Sequence, residues 1–214
     1  MSPREEFIAA IETNQAEFGL DLRAKVIERL AKHFELATEH NPLLHLTGPA
    51  TPTEFAIRHV LESLTMLEFL AEGVSFVDVG SGAGFPAIPC LIARDDLRAT
   101  LIESKAKKVG FLQTAIAECE IGSRTTVVNS QFSETPRPAI SYVSCRALDR
   151  FTQHLPKLIK WSGDCTLLFF GGLTLRDELQ RLGLKPEERL MPLSEQRYLF
   201  VSRRRSGNKD GQRN

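Results

Sequence analysis

Three glycines alternate with other residues directly after a short run of β-branched and aromatic residues. The run is Ser75–Val79, and the glycines are Gly80, Gly82 and Gly84. Because these positions have no side chain, the backbone can turn sharply there and come close to a bound molecule. Pro86 follows, and proline is favoured in the first turn of a helix. The pattern therefore predicts a strand, a loop that holds a ligand, and the start of a helix.

Two acidic residues near this loop favour a cationic ligand over a phosphate. Asp78 precedes the first glycine by two residues, where a carboxylate would face the ligand, repel a pyrophosphate and attract a cation. The dinucleotide pattern G-x-G-x-x-G does not apply, because its third glycine is replaced by Phe85. Glu103 is predicted to lie at the tip of the next strand, within reach of ribose hydroxyls. S-adenosylmethionine, which carries an ammonium, a sulfonium and a ribose but no phosphate, fits both acids.

The charges of the chain are unevenly divided. The 214 residues carry no net charge, but residues 1–74 have 6 Lys and Arg against 12 Asp and Glu, and residues 75–214 have 21 against 15. The basic part, which ends in Arg203-Arg204-Arg205, is suited to contact phosphate groups while the acidic part faces away. The alternative is a solvated tail, and residues 206–214, which lack apolar side chains, are predicted to be disordered.

The sequence contains no pattern for a metal site, a disulfide framework or a membrane span. Its cysteines are widely spaced within apolar patterns, which predicts reduced thiols, and its histidines lack metal-ligand spacing. Its apolar runs are too short to cross a bilayer, and residues 1–20 lack a basic targeting segment. We therefore expect a soluble, cytoplasmic protein without a bound metal. The residues concerned are Cys90, Cys119, Cys145 and Cys165, and His33, His40, His45, His59 and His154.

The first 74 residues are predicted to form a helical extension. Apolar residues recur every three or four positions over 21–40, which predicts a helix that Asn41-Pro42 would end. A polar linker over 45–50 separates this helix from a second one, which begins after Thr51 and stops near Gly73.

From residue 75 onward, predicted strands alternate with helices such as Pro86–Ala93 and Lys105–Glu118. This alternation indicates an α/β fold in which a mostly parallel sheet is covered on both faces. We therefore predict a domain over 75–205, which follows the helical extension 1–74 and precedes the disordered tail 206–214. The predicted strands are Ser75–Val79, Arg98–Ile102, Thr125–Asn129, Ile140–Cys145, Cys165–Phe170 and Arg197–Ser202.

The loops that follow the strands are expected to form the site. In an open parallel sheet, ligands bind beyond the carboxyl ends of the strands, near the point where the strand order reverses. Arg146 follows one predicted strand directly and is expected to be the cation at this rim. The other loops at the rim are Gly80–Phe85, Glu103–Lys105, Asn129–Ser133 and Gly171-Gly172.

Several short motifs occur together in the order and spacing of one known family. Over about residues 41–172 the chain resembles the bacterial small-subunit ribosomal RNA methyltransferase G family, also called glucose-inhibited division protein B, whose members are class I S-adenosylmethionine enzymes. The motifs are Asn41 with Leu46-Thr47, Arg58–Leu64, Val77–Pro89, Leu101–Ser104 with Lys107–Val109 and Phe111-Leu112, and Ser144–Ala147.

The resemblance implies a Rossmann-like fold with a mostly parallel seven-stranded sheet and an N-terminal helical extension. The implied activity is methyl transfer from S-adenosylmethionine to N7 of a guanine in small-subunit (16S) rRNA. The implied partner is this rRNA or the assembling 30S subunit, and a monomer is favoured. Family positions place the backbone near Phe132-Ser133 against the adenine and Arg146, the expected catalytic residue, on the rim. The expected cofactor-binding residues are Asp78, Gly80, Gly82, Gly84, Phe85, Glu103, Phe132, Ser133 and Arg146.

Three positions depart from the family pattern. The family usually has Asn at His45, Glu at Ser133, and Lys-Gly at Gly171-Gly172. The missing lysine points to an altered substrate choice, to compensation by Arg146 or Arg150, or to a paralogue with another target.

The implied chemistry needs positioning rather than a general base, because N7 of guanine carries a lone pair and no proton. A bidentate contact from arginine to guanine would occupy that lone pair. We therefore expect Arg146 to bind an RNA phosphate or the methionyl carboxylate, with an ion pair to Asp149 as the structural alternative. His59 is expected to be a packing residue.

Other functions remain open at this point. The lysines 105, 107 and 108 either contact RNA or form a solvated face. A small-molecule methyltransferase would share the cofactor half and would have a closed, apolar acceptor pocket. A non-catalytic RNA-binding paralogue would keep the fold without turnover.

Overall fold

One sheet forms the centre of the protein. The computed structural model describes residues 1–137, 139–146 and 151–203, with only the backbone at 151 and 152. The predicted tail 206–214 therefore lies outside the described residues. The seven strands are β1 Ser75–Val79, β2 Arg98–Glu103, β3 Thr125–Asn129, β4 Tyr142–Arg146, β5 Thr166–Gly171, β6 Glu187–Leu190 and β7 Tyr198–Ser202.

The strand order is β3-β2-β1-β4-β5-β7-β6. The first five strands along the chain pair in parallel, whereas β7 runs antiparallel to β5 and β6 antiparallel to β7. The order reverses at β1, because β2 pairs with one of its edges and β4 with the other. The carboxyl ends of β1, β2 and β4 therefore meet at the point where open sheets of this kind bind ligands.

Helices cover both faces of the sheet. Apolar side chains of α1, α2, α5 and α6 belong to one buried cluster, whereas those of α7 and α8 belong to a second cluster on the other face. The predicted α/β fold with a mostly parallel seven-stranded sheet is confirmed, and the domain boundary at residue 74 stays a prediction. The helices are α1 Pro3–Asn14, α2 Ala24–Leu44, α3 Pro52–Phe55, α4 Glu62–Leu64, α5 Ala87–Ala93, α6 Ala106–Glu118, α7 Phe151–Ser162 and α8 Leu173–Arg181.

Helix α2 continues through Pro42, so the prediction that Asn41-Pro42 ends it was wrong. Proline removes one backbone donor, and in the last turn that loss affects a single hydrogen bond. The helix ends where the Asn41 carbonyl accepts a hydrogen bond from His45 N (2.9 Å). His45 there adopts a left-handed conformation, with φ of 48°.

The second predicted helix is not uniform. After α3, which begins with a capping box between Thr51 and Glu54, the chain forms a π-helical turn over Ala56–Leu61. It then returns to α-helix in α4 and tightens into a 3₁₀ segment, Thr65–Phe69. The wider turn changes which side chains face inward, and such turns occur often at functional sites.

All six predicted strands are present, with ends that differ by two residues or fewer. The sequence pattern missed β6, because its four residues Glu187–Leu190 are all exposed and three are charged. Pro86 precedes the helix that it was predicted to begin, since α5 starts at Ala87. In the described part of the chain, no helix is long and apolar enough to cross a membrane.

Candidate cofactor and substrate cleft

A cleft of about 440 Å³ opens at the carboxyl ends of β1, β2 and β4. The loops after these strands form its floor, and residues of the helical extension form part of its wall. It is lined by Leu46, Thr47, Gly48, His59, Gly80, Ser81, Gly82, Ala83, Phe85, Glu103, Ser104, Lys105, Lys108, Gln131, Phe132, Arg146 and His154.

The three glycines of the loop after β1 have different surroundings. All three have positive φ, 73° at Gly80, 51° at Gly82 and 85° at Gly84, a region that is strained for other residues. Gly80 and Gly82 line the cleft. Gly84 instead faces α5, where an added Cβ would lie 2.7 Å from Cγ1 of Ile88. Its direct contact with a cofactor stays a prediction, and the structure gives it a packing role behind the loop.

Replacement of Gly84 by Ala is expected to destabilise the fold by about 2 kcal/mol or more, because it combines left-handed strain with overpacking against Ile88. Gly110 provides a matched control, since it lies within α6 and an added Cβ meets nothing within 4 Å. Gly110→Ala should stabilise by about 0.5–1 kcal/mol. Urea unfolding of both variants measures these effects, and equal stabilities would contradict the packing role of Gly84.

Glu103 is fixed between the glycine loop and the start of α6. Its Oε2 accepts a hydrogen bond from Gly82 N (3.0 Å) and its Oε1 accepts one from Lys105 N (2.8 Å). The residue is buried yet lines the cleft. A carboxylate has about four lone-pair sites, so capacity remains for hydroxyl donors of a ligand. The predicted position of Glu103 at the tip of β2 is confirmed.

Asp78 lies deeper than predicted. We expected its carboxylate to face the ligand, but the residue is completely buried in β1 and does not line the cleft. The reason is its pairing with the adjacent strand β4, where Ser144 Oγ donates to Asp78 Oδ1 (2.7 Å). Burial raises the pKa of Asp78 to about 7. Its Oδ2 has no hydrogen-bond partner among the described residues.

Phe85 joins the glycine loop to rings of the helical extension. Its ring centroid lies 5.3 Å from that of His59, in a stacked arrangement, and 5.6 Å from that of Phe55. Both Phe85 and His59 line the cleft. Burial, together with the positive charges of Arg146 and Arg58, lowers the pKa of His59 to about 3, so the imidazole is neutral. His59 packs as expected and also forms part of the cleft wall.

The neutral state of His59 makes stability depend on pH. Its pKa in the folded protein lies below the ordinary value of 6.5, so only the unfolded chain takes up a proton between these values. Through His59, stability should therefore fall as the pH decreases from about 6.5 toward about 3, by on the order of 1 kcal/mol per pH unit. Urea unfolding should show a smaller fall in His59→Phe than in wild type. Asp78, whose raised pKa also makes stability depend on pH, is present in both proteins, so its contribution cancels in the comparison. Identical pH profiles of both proteins would contradict this.

Arg146 is paired with a residue that the sequence analysis did not consider. Its Nη2 donates to Glu62 Oε2 (3.0 Å) and to the Arg58 carbonyl (2.6 Å). Arg197 Nε donates to the other carboxylate oxygen of Glu62 (2.6 Å). Glu62 is 1% exposed and Arg146 15% exposed, so this ion pair is largely shielded from water. Asp149, the partner that we considered, lies outside the described residues.

Phe132 and Gln131 line the cleft beyond β3. Phe132 is buried and begins a 3₁₀ segment, whereas Ser133 is exposed and does not line the cleft. His154 on α7, to which the sequence assigned no role, also lines the cleft, and its ring meets that of Phe132 edge-on with the centroids 6.3 Å apart. The predicted contact of the 132–133 backbone with an adenine stays a prediction.

A loop after α2 forms another part of the wall that the site prediction did not include. Asn41 Oδ1 accepts hydrogen bonds from Leu46 N (2.7 Å) and Thr47 N (2.9 Å). The signal was present, because Asn41 and Leu46-Thr47 form one of the recognised motifs. Asn41 thus holds this loop against the cleft.

Leu175 occupies the space that a side chain would need at Gly171, where the family usually has lysine. Gly171 ends β5, and an added Cβ would lie 2.5 Å from Cδ2 and 3.0 Å from Cβ of Leu175. A lysine there would require Leu175 to move. Lys105 and Lys108 line the cleft and Lys107 does not, while Arg150 lies outside the described residues.

The residues of the cleft fit S-adenosylmethionine. Gly80 and Gly82 leave the floor of the cleft free of side chains, and Glu103 offers acceptors for ribose hydroxyls. Among the described residues, no group of three or more His, Cys, Asp or Glu side chains is placed to hold a metal ion.

The chain is similar in sequence to known proteins. A ribosomal RNA small subunit methyltransferase G from Methylobacillus flagellatus is 33% identical over 182 residues, which cover 82% of this chain and 86% of the relative. A protein of the same name from Ectopseudomonas mendocina is 32% identical over 201 residues, which cover 88% and 92%.

Solved structures share the fold. A SAM dependent methyltransferase from Aquifex aeolicus superposes with a TM-score of 0.57 at 14% identity, over 79% of this chain and 97% of that chain.

Residues 26–197 match the family described as rRNA small subunit methyltransferase G. The protein therefore belongs to the rRNA small subunit methyltransferase G family.

Proposed function

We propose that the protein transfers a methyl group from S-adenosylmethionine to N7 of a guanine in small-subunit (16S) rRNA. The observation that carries the proposal is one cleft that combines the glycine loop and Glu103 with Lys105, Lys108 and Arg146. Glu103 suits the cofactor, and the cationic side chains suit an acceptor with phosphate groups. Family membership supports both S-adenosylmethionine as the methyl donor and rRNA as the acceptor.

The chain's own residues contribute to this reaction by positioning. When bound, S-adenosylmethionine supplies an electrophilic methyl group on a sulfonium. N7 of guanine needs no deprotonation, so the protein has to hold the base in line with this methyl group. Such alignment can lower a barrier by roughly 7–11 kcal/mol. Gly80, Gly82 and Glu103 would hold the cofactor, and Phe85 and His59 would exclude water from one wall.

The role proposed for Arg146 is to bind an anion. It lies at the carboxyl end of β4 and lines the cleft, while Glu62 fixes its guanidinium from behind. A guanidinium has five N–H donors, so donors remain for a phosphate of the RNA or for the methionyl carboxylate. A contact with guanine N7 is unsuitable, because it would occupy the reacting lone pair.

A small-molecule methyltransferase is less well supported. That function calls for a closed, apolar acceptor pocket, whereas the lining of the cleft includes Lys105, Lys108, Arg146 and His154. We further propose that the protein acts as a monomer in the cytoplasm, on the rRNA itself or on the assembling 30S subunit.

The proposal is tested by mapping 7-methylguanine in rRNA from cells with and without the gene. Treatment with borohydride and aniline cleaves RNA at this nucleotide. A cleavage site in 16S rRNA that is present only with the gene is expected. Identical cleavage in both strains would contradict the function. Methyl transfer by the purified protein to protein-free 16S rRNA, compared with 30S subunits, identifies the form of the substrate.

A non-catalytic paralogue would give a different pattern of results. Isothermal titration would then show binding of S-adenosylmethionine or of rRNA. A methylation assay would show no transfer of the methyl group. Transfer to rRNA by the wild-type chain, at a rate above that of a boiled sample, would exclude this alternative.

A further inference from the structure

His33 contacts the glycine loop from the side of the helical extension. It lies on α2 and is completely buried. Its Nε2 lies 2.9 Å from the carbonyl oxygen of Ala83, a residue 50 positions further along the chain. Its ring lies 4.9 Å from that of Phe85. The sequence assigns His33 no role beyond its lack of metal-ligand spacing, and the function described above does not use this contact.

The surroundings define which nitrogen of His33 carries the hydrogen. Burial lowers the pKa of His33 to about 4, so the imidazole is neutral near pH 7 and carries one N–H. The Ala83 carbonyl can only accept a hydrogen bond, so the hydrogen must reside on Nε2. Nδ1 then has no hydrogen and has no partner among the described residues.

The peptide group between Ala83 and Gly84 is therefore held at both of its polar atoms. Its carbonyl oxygen accepts from His33 Nε2, and its N–H, which belongs to Gly84, donates to the Ser81 carbonyl (2.6 Å). Glycine on one side of this peptide group gives it unusual freedom to rotate. The two hydrogen bonds select one orientation, and with it the positions of Ala83 and Phe85 on the cleft wall.

We propose that His33 is a positioning residue, whose hydrogen bond to Ala83 keeps the glycine loop in the conformation that binds S-adenosylmethionine. The inference rests on the proposed function only in that the cleft holds this cofactor. His33 is buried and does not line the cleft, so it acts through the loop. Without its hydrogen bond the loop divides its population between conformations, and the apparent affinity falls by the fraction that remains competent.

The test compares four proteins by isothermal titration with S-adenosylmethionine. His33→Phe keeps a ring but has no donor, and His33→Gln restores an N–H donor at a similar reach. His40→Phe is the matched control, because His40 lies on the same helix, does not line the cleft, and has its Nδ1 2.9 Å from the Leu36 carbonyl oxygen of that helix. We expect affinity to fall about tenfold in His33→Phe, to stay within about threefold of wild type in His33→Gln, and to be unchanged in His40→Phe.

A structural defect alone would produce other results. With saturating S-adenosylmethionine, His33→Phe should methylate rRNA with a kcat near that of wild type, since only cofactor binding is impaired. An affinity in His33→Phe within twofold of wild type would overturn the inference. So would an equal loss in His33→Phe and His33→Gln, because a restored N–H donor would then make no difference and the shape of the imidazole rather than its hydrogen bond would explain the effect.

A measurement on the wild-type protein does not depend on folding of any variant. The ¹⁵N spectrum of the His33 imidazole should show the hydrogen on Nε2, and a hydrogen on Nδ1 would overturn the proposed donation. The two proposals fail in different ways. If wild type does not bind S-adenosylmethionine, the cofactor site itself and this inference are both wrong. If wild type binds and the His33 variants bind equally well, only the inference about His33 is wrong.

Discussion

Replacing Glu103 by Gln is expected to weaken the binding of S-adenosylmethionine about 100-fold, because Glu103 serves two partners at once. It would accept hydrogen bonds from the ribose, and it already accepts the N–H of Gly82 in the loop. Hydrogen bonds to a charged group contribute about 1.5–3 kcal/mol each, and an amide can replace only part of them. Glu103→Ala should weaken binding further, since no acceptor then remains for Gly82 N.

Isothermal titration with S-adenosylmethionine measures this loss, and Glu118→Gln is a suitable control. Glu118 is the last residue of α6, outside the cleft, where it forms an exposed ion pair with Lys32. Its replacement should leave cofactor affinity unchanged. An affinity of Glu103→Gln within threefold of wild type would show that this carboxylate does not bind the cofactor.

Replacing Arg146 by Ala is expected to abolish rRNA methylation and to destabilise the protein by about 3 kcal/mol. The stability effect arises because removal of one partner leaves the charge of buried Glu62 less compensated. Arg197 still donates to Glu62, which limits the loss. Urea unfolding measures the stability, and transfer of a labelled methyl group to rRNA measures the activity.

A double variant separates the two effects. Arg146→Met combined with Glu62→Leu replaces the ion pair with apolar side chains of similar size, which is often neutral or stabilising. Arg197 is partly exposed and can turn its guanidinium to water. We therefore expect the double variant to regain most of the stability while methylation stays absent. Recovery of methylation together with stability would contradict a role for Arg146 in binding substrate or cofactor.

The central part of the fold was predictable because its signals are local. The run Ser75–Val79, the alternating glycines and Pro86 lie within twelve residues, and the observed strand, loop and helix follow them closely. The same is true of Glu103, which directly follows the apolar residues of β2. Local sequence determines these elements, since turn geometry and strand propensity act over a few residues.

Contacts between distant residues were not predictable from one sequence. Glu62 and Arg146 are 84 positions apart, and Asp78 and Ser144 are 66 apart. The pair of Asp78 and Ser144 depends on the register of β4 beside β1, whereas the pair of Glu62 and Arg146 depends on the way in which the helical extension packs. The interior position of Asp78 follows from that register. Strand β6 was missed for a related reason, because an exposed edge strand carries no apolar alternation.

The end of α2 differs from the end that the local sequence predicts. Asn41-Pro42 is typical of a helix end, yet the helix continues to Leu44. Asn41 accepts two backbone N–H groups of the loop that follows, at Leu46 and Thr47. This loop then forms part of the cleft wall. Asn41-Pro42, which predicted the end of the helix, therefore contributes to the cleft wall through the side chain of Asn41.

The most direct test is a crystal structure of the protein with S-adenosylhomocysteine, the product of the cofactor. We expect the ribose hydroxyls within hydrogen-bond distance of the Glu103 carboxylate, and the methionyl part beside Gly80 and Gly82. The adenine should lie toward Phe132. A ligand bound elsewhere, or a glycine loop that closes the cleft when the ligand is present, would contradict the account.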